Sequence, residues 1–255
     1  MFRGLYTAYT GMVTQQQKMD GISNNLANVD TTGYKKDQMI QASFDEILAY
    51  KIHDPEVPQG KSIGKMSLGV KVSQVYTDFG QGSMKQTDNL LDVALQGDGF
   101  FKVGEVNDQG TMAIKYTRDG SFNFSQNGQL VTKDGLFVLG TDDAPIELDN
   151  DNFRINEDGS IYQNEVRMNQ LQIVNFEEAQ TLRKQGSSLY EVTDTSVTAA
   201  FEGTVVQGFL ESSNVNTINE MVDMIATTRT YEANQKMIQT YDATMDKVVN
   251  SVGSL

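Results

Sequence analysis

Two sets of apolar residues with a seven-residue repeat stand at opposite ends of this chain, and they restrict its fold more than anything between them. Near the N-terminus Leu5, Met12, Met19 and Leu26 fall on one line, and Ala8, Gln15, Ile22 and Val29 on a second, three residues further on. Near the C-terminus Met224, Tyr231, Ile238, Met245 and Val252 share one register, and Thr227, Asn234, Tyr241 and Val248 the other. Two apolar positions in seven make a stripe that suits a helix packed on another helix. A helix lying on a sheet needs a wider one. Both ends are therefore expected to be helices whose seams serve assembly. Thr217 and Glu220 in TINE have capping-box spacing and mark the start of the second helix.

The first helix has a clear stop. In NNLANVDTTGYK the asparagines Asn24, Asn25 and Asn28 compete with the backbone for hydrogen bonds, and Gly33 opens left-handed conformations. Ala27, Thr32 and Tyr34 complete the block, which reads as a polar helix end followed by an outward turn. Residues 34–69 follow as an extended connector carrying Pro55, Pro58, Gly60 and Gly64, with FDEILAY reading as a short helix inside it. The middle is strand-like. SFNFS alternates, LLDVAL carries Leu91, Val93 and Leu95 on one face, and Asp119-Gly120, Asn127-Gly128, Asp134-Gly135 and Asp158-Gly159 supply hairpin-turn dipeptides. The fold class expected is α+β. Residues 1–33 and 211–255 are expected to form a coiled-coil-like assembly domain, and residues 70–210 a central antiparallel β domain.

Chemistry finds few footholds. There is no cysteine and one histidine, His53, which leaves no thiolate, disulfide or histidine-pair metal site. A net charge of −14 repels phosphate, so nucleic acid is not an expected partner. No stretch approaches the roughly 20 apolar residues of a membrane span, and the N-terminus lacks the apolar core of a cleaved signal. LDNDNFRINEDG resembles a calcium loop, but Arg154 and Ser160 stand where glycine and glutamate are needed. Asp142, Asp143, Glu177 and Glu178 include neighbouring carboxylates, and nothing selects a catalytic pair among them. No catalytic, metal or cofactor site is expected.

ISNNLANVDTTGYKK resembles the N-terminal signature of bacterial flagellar rod and hook proteins, and SSNVNTINEMVDMIATTRTYEANQKMIQTYDATMDKV resembles their C-terminal one. DVALQGDGFFKV and YTRDGSFNFSQNGQLVTKDG look like the family's central segments. The length is similar to that of rod members, the distal branch foremost, with a proximal-rod paralogue as the alternative. The resemblance implies a structural subunit exported by the flagellar type III apparatus without signal cleavage. It would polymerise with itself and meet adjacent rod and hook proteins, and ring proteins around the rod, in the periplasm or cell-wall zone. A cell-wall hydrolase and a surface adhesin are the alternatives of another class.

Overall fold

The computed structural model describes residues 2–51, 61–106, 112–148 and 153–252. His53, Pro55, Pro58, Gly60 and residues 149–152 of the acidic loop lie outside them. Two compact units emerge, one gathering Met1–Leu26, Asp37–Tyr76 and Thr217–Leu255, the other Ala27–Lys36 and Thr77–Asn216. The expected boundaries after residues 33, 69 and 210 thus differ from the observed ones. Residues 27–36 fold with the β unit, and 37–76 fold with the helices.

The helical unit contains α1 (Phe2–Ala27), β1 (Asp37–Ser43), β2 (Ile47–Lys51), β3 (Lys61–Met66), β4 (Val70–Thr77) and α2 (Thr217–Val252). The expected connector is therefore built of strands. FDEILAY is not helical, because seven residues nucleate a helix poorly. Ile47 and Leu48 instead pair with Met66 and Lys65 in the antiparallel β2–β3 hairpin. β1 and β4 pair with each other and lie along α1. Met39 of β1 reaches the α1 backbone at Gly21, and Thr14 donates through Oγ1 to the Val70 carbonyl. Tyr6 stacks with Phe44 at 6.4 Å. One face of this small sheet is thereby spent on the helix.

The β unit contains β5 (Met84–Gln86), β6 (Val93–Gln96), β7 (Phe100–Val106), β8 (Met112–Thr117), β9 (Phe122–Phe124), β10 (Leu130–Thr132), β11 (Phe137–Val138), β12 (Arg154–Ile155), β13 (Ser160–Gln163), β14 (Val166–Gln170), β15 (Ile173–Phe176), β16 (Arg183–Gln185), β17 (Leu189–Glu191), β18 (Thr198–Ala199), β19 (Thr204–Gln207) and β20 (Phe209–Glu211). The main sheet runs β16-β17-β8-β7-β11-β10-β9, and β15 joins it on β7. Its pairings are antiparallel. Side chains alternate across a strand, so adjacent Phe100 and Phe101 feed two cores. Phe101 joins Val103, Leu130, Ile146 and Ile161. Phe100 joins Tyr116, Phe176 and Tyr190 in an edge-on aromatic cluster with centroids 5.1 to 5.8 Å apart.

Three of the four expected turn glycines, Gly128, Gly135 and Gly159, have positive φ. Gly120 does not. It is a glycine because any Cβ there would collide with the Val93 carbonyl, while its own carbonyl accepts the Val93 N–H at 3.0 Å.

Candidate functional site

On α1 the residues Leu5, Ala8, Met12, Gln15, Met19 and Leu26 are half-buried and Ile22 is fully buried, so the predicted lines form one covered face. Val29 is not part of it, because α1 ends at Ala27 and Val29 sits in the following turn. On α2 the residues Met224, Tyr231, Asn234, Ile238, Tyr241 and Met245 are half-buried and Thr227 is buried. Val248 is exposed, and Val252 is the last residue of the helix.

The two covered faces meet each other within the chain. Asn25 donates through Nδ2 to Glu220 Oε2 at 3.4 Å, and Thr228 approaches the Met19 sulfur at 3.6 Å. Gly11 lies against Asn234 and Gly4 against the Tyr241 ring, whose hydroxyl a Cβ added at Gly4 would approach to 2.4 Å. Residue numbers rise on one helix as they fall on the other, so the helices run antiparallel. The heptad lines, expected as seams between subunits, are occupied inside one subunit.

Opposite its covered face α2 keeps an apolar stripe in water. Ile218, Met221, Val222 and Ile225 are 49% to 73% exposed at i, i+3, i+4 and i+7 spacing. Sequence reasoning missed it because the longer heptad lines dominate the same helix.

The asparagine block divides by residue. Asn24 and Ala27 are exposed. Asn25 is buried, and its amide closes a ring with Asp37, accepting the N–H at 3.0 Å and donating to the C=O at 2.9 Å. Asn28 accepts from Thr31 through both its side chain and its carbonyl at 3.2 Å, which shapes the turn. Thr32 donates to Asp119 Oδ1 at 2.7 Å. Gly33 has φ of +66° and an added Cβ would lie 2.5 Å from the Arg118 carbonyl carbon, so both conformation and space demand glycine. Tyr34 is buried under the Lys184 ammonium, 4.0 Å from its ring centroid.

Beside Tyr34 lies a buried ionic clasp that the sequence did not announce. Lys35 Nζ reaches Glu211 Oε1 at 2.6 Å and the Gly80 carbonyl at 2.9 Å. Arg118 Nε reaches Glu211 Oε2 at 2.6 Å, and its other nitrogens donate to the Gly97 and Gly99 carbonyls. The Gly82 N–H adds a 2.8 Å bond to Oε1. Each of the three charged side chains is 3% exposed or less. Burial pulls the Lys35 ammonium below its ordinary value, with Glu211 offsetting part of the loss. Burial also pushes the Glu211 carboxyl up, but Arg118 and Lys35 together outweigh it and leave Glu211 below the usual carboxylate range.

The carboxylates considered for chemistry are dispersed. Asp143 pairs with Lys102, while Asp142, Glu177 and Glu178 are exposed. Among the described residues no group of three acidic or histidine side chains is placed to hold a metal ion, and no helix is long and apolar enough to cross a membrane.

Three family models match the sequence. Residues 5–35 match the flagella basal body rod protein model, residues 94–163 the D1 domain of flagellar hook protein FlgE/F/G, and residues 206–251 the C-terminal region of flagellar basal body rod FlgEFG protein. Gly33, Arg118 and Glu211, one from each matched segment, are those that meet around the clasp. The chain is 39% identical to the flagellar basal-body rod protein FlgG of Borreliella burgdorferi, over 95% of this chain and 96% of that one. It is 34% identical to the flagellar hook-basal body complex protein FlhO of Bacillus subtilis over the whole of both chains. It is also 34% identical to FlgG of the same organism, over 98% and 99%.

Proposed function

Because this chain belongs to the flagellar basal-body rod protein family and is a structural subunit of that rod, we propose that its copies polymerise through the outer face of α2. The α1–α2 pair acts as a coiled-coil-like assembly element, and the product is the distal part of a helical drive shaft that passes motor torque to the hook. The observation that carries this reading is the division of labour on α2. Its heptad face is covered by α1, while Ile218, Met221, Val222 and Ile225 remain in water on the other side. A stripe of that kind on a rod subunit suits the neighbouring copy.

Adjacent rod and hook proteins are the partners at the ends of the polymer, and ring proteins surround it. The type III apparatus delivers the chain uncleaved to the periplasm or cell-wall zone. Torque passes through packing alone, so the subunit performs no chemistry.

The test is Val222→Asp. Its exposed site leaves the monomer's helix content and unfolding midpoint unchanged, while rod growth and swimming are lost. Normal rods in this variant would remove the α2 face from assembly. Release of muropeptides from cell wall by the purified protein would replace the structural reading with an enzymatic one.

A further inference from the structure

The β unit carries a groove that assembly through α2 leaves unused. It runs along β12 and β13 as two joined hollows of about 380 Å³ and about 610 Å³, which share Arg154 and Asn156. Volumes of this order are those of small-ligand sites. The first hollow is lined by Phe153, Arg154, Asn156, Tyr162, Asn164 and Glu165. Arg154 and Tyr162 are cross-strand partners, so both present their side chains on one face of the sheet. Among the described residues the side chains of Arg154, Asn156, Tyr162, Asn164 and Glu165 make no hydrogen bond or ion pair, and neither a cation nor a second ring covers Tyr162. The rim of the second hollow is already fixed. Ser160 donates to both oxygens of Asp158, and Gln207 joins the Ile155 N–H to the Leu90 carbonyl.

Glu165 stands out by its backbone. With Asn164 it makes the two-residue turn between β13 and β14, where Gln163 pairs with Val166 and the central residues have φ of 51° and 66°. Two positive φ values define a type I′ turn, whose preferred second residue is glycine. The other described non-glycine residues with positive φ are Asp88, Asp143 and Asn164, all of types that tolerate it. Glutamate is not such a type. A strained residue beside a concavity, with no partner for its side chain among the described residues, points to a partner outside the chain.

We infer that this groove is a binding site for an uncharged oligosaccharide. Charge rules out anionic ligands. Arg154 is the one cation along the groove against Glu157, Asp158 and Glu165. The whole β unit holds 23 of the 34 acidic but only 11 of the 20 basic residues, so it carries −12 of the net −14. Phosphate esters and acidic sugars are therefore repelled. A bare cation has no place either, because among the described residues no three acidic side chains converge to hold a metal ion. An apolar ligand would strip water from five polar side chains and give none of them a partner. A neutral sugar satisfies all of them. The apolar face of its ring lies on Tyr162, and its neighbouring hydroxyls donate and accept against the planar ends of Asn156, Asn164, Glu165 and Arg154. Two hollows joined through shared residues suit a chain of sugars rather than a single one. This site lies in the β unit and does not depend on how the subunits polymerise.

The test is saturation-transfer NMR on the full-length protein with two uncharged probes, chitotetraose and cellotetraose. Saturation is expected to pass from the protein to the sugar-ring protons of at least one of them. It should fall by about fivefold or more in Tyr162→Ala and in Glu165→Gly, as for the loss of one central contact. The glycine variant also has a readout of its own. Relief of the strained turn should raise its unfolding midpoint by about 2–4 °C, so that it binds less while melting later, which separates lost binding from lost fold. Absence of transfer to both probes, or transfer unchanged in both variants, overturns the inference. Stronger transfer to tetragalacturonate or to a hexapeptide at the same concentration overturns it too, by making the groove an acidic-sugar or a peptide site. A Glu165→Gly midpoint at or below that of the wild type removes the strain on which the site rests and overturns it as well.

Discussion

At the level of single residues, Glu211 is the group on which most depends, since one carboxylate balances two buried cations. Removing one partner of a buried ion pair costs about 3–5 kcal/mol, because the remaining charges stay desolvated. Glu211→Leu is therefore expected to lower the unfolding free energy by about that amount, whereas Lys133→Ala, at an exposed 3.9 Å pair with Asp119, should change it by less than about 0.5 kcal/mol. Urea melts of the two variants decide this. The carboxyl of Glu211 lies lower in the folded chain than in the unfolded one, so its stabilisation is complete above the unfolded value of 4.5 and is lost as pH falls through the folded value. Wild-type stability should fall on acidification below that point, and a Glu211→Gln variant should show a flatter profile. Equal slopes would take Glu211 out of the acid response. Gly33→Ala combines an unfavourable φ with a 2.5 Å clash and is expected to cost about 1–3 kcal/mol. Gly33 could be read in the sequence because a left-handed turn is a local need. Lys35 and Glu211 could not, because they lie 176 residues apart and a lone charge in a sequence looks like a solvated one.

At the level of elements, the heptad lines gave both helices and their covered faces, but periodicity carries no information on which partner covers them. That ambiguity explains why seams expected between subunits join α1 to α2. A pair of substitutions separates the two uses. Leu26→Asp puts a carboxylate on the covered face of α1 and should destabilise the isolated monomer by about 2–3 kcal/mol, visible as an earlier loss of helical circular dichroism. Val222→Asp should leave that melt unchanged. Similar melts for both would mean that α1 and α2 do not support each other in the free chain. The strands of 37–76 were less legible, since β1 and β4 owe their order to α1 rather than to turn dipeptides. The β13–β14 turn was missed for another reason. Asn164 and Glu165 adopt φ of 51° and 66°, and glutamate is not a residue that announces such a turn. The unit boundaries yield a further test. Deleting residues 1–26 should leave a cooperatively melting β unit, while deleting 1–34 also removes Gly33 and Tyr34 and should abolish that cooperativity.

On the scale of the whole molecule, charge is unevenly divided, and the −12 of the β unit opposes the approach of further copies. Screening shortens that repulsion to about 8 Å at physiological ionic strength. Self-association of purified full-length protein should therefore strengthen as salt rises from low to moderate concentration, measured by sedimentation. Weakening over the same range would show that attraction between charges, rather than apolar contact, drives assembly. The ionic clasp has a consequence for time as well as for stability. It joins residues 33–35 to 118 and to 211, so the β unit cannot be closed until the last of its strands is available. Contacts so distant along the chain must be reached against loop-closure entropy, which slows folding to milliseconds or longer in β-rich domains. A chain threaded from its N-terminus through a narrow channel would emerge with residue 35 waiting for residue 211, and would stay pliable until passage was almost complete.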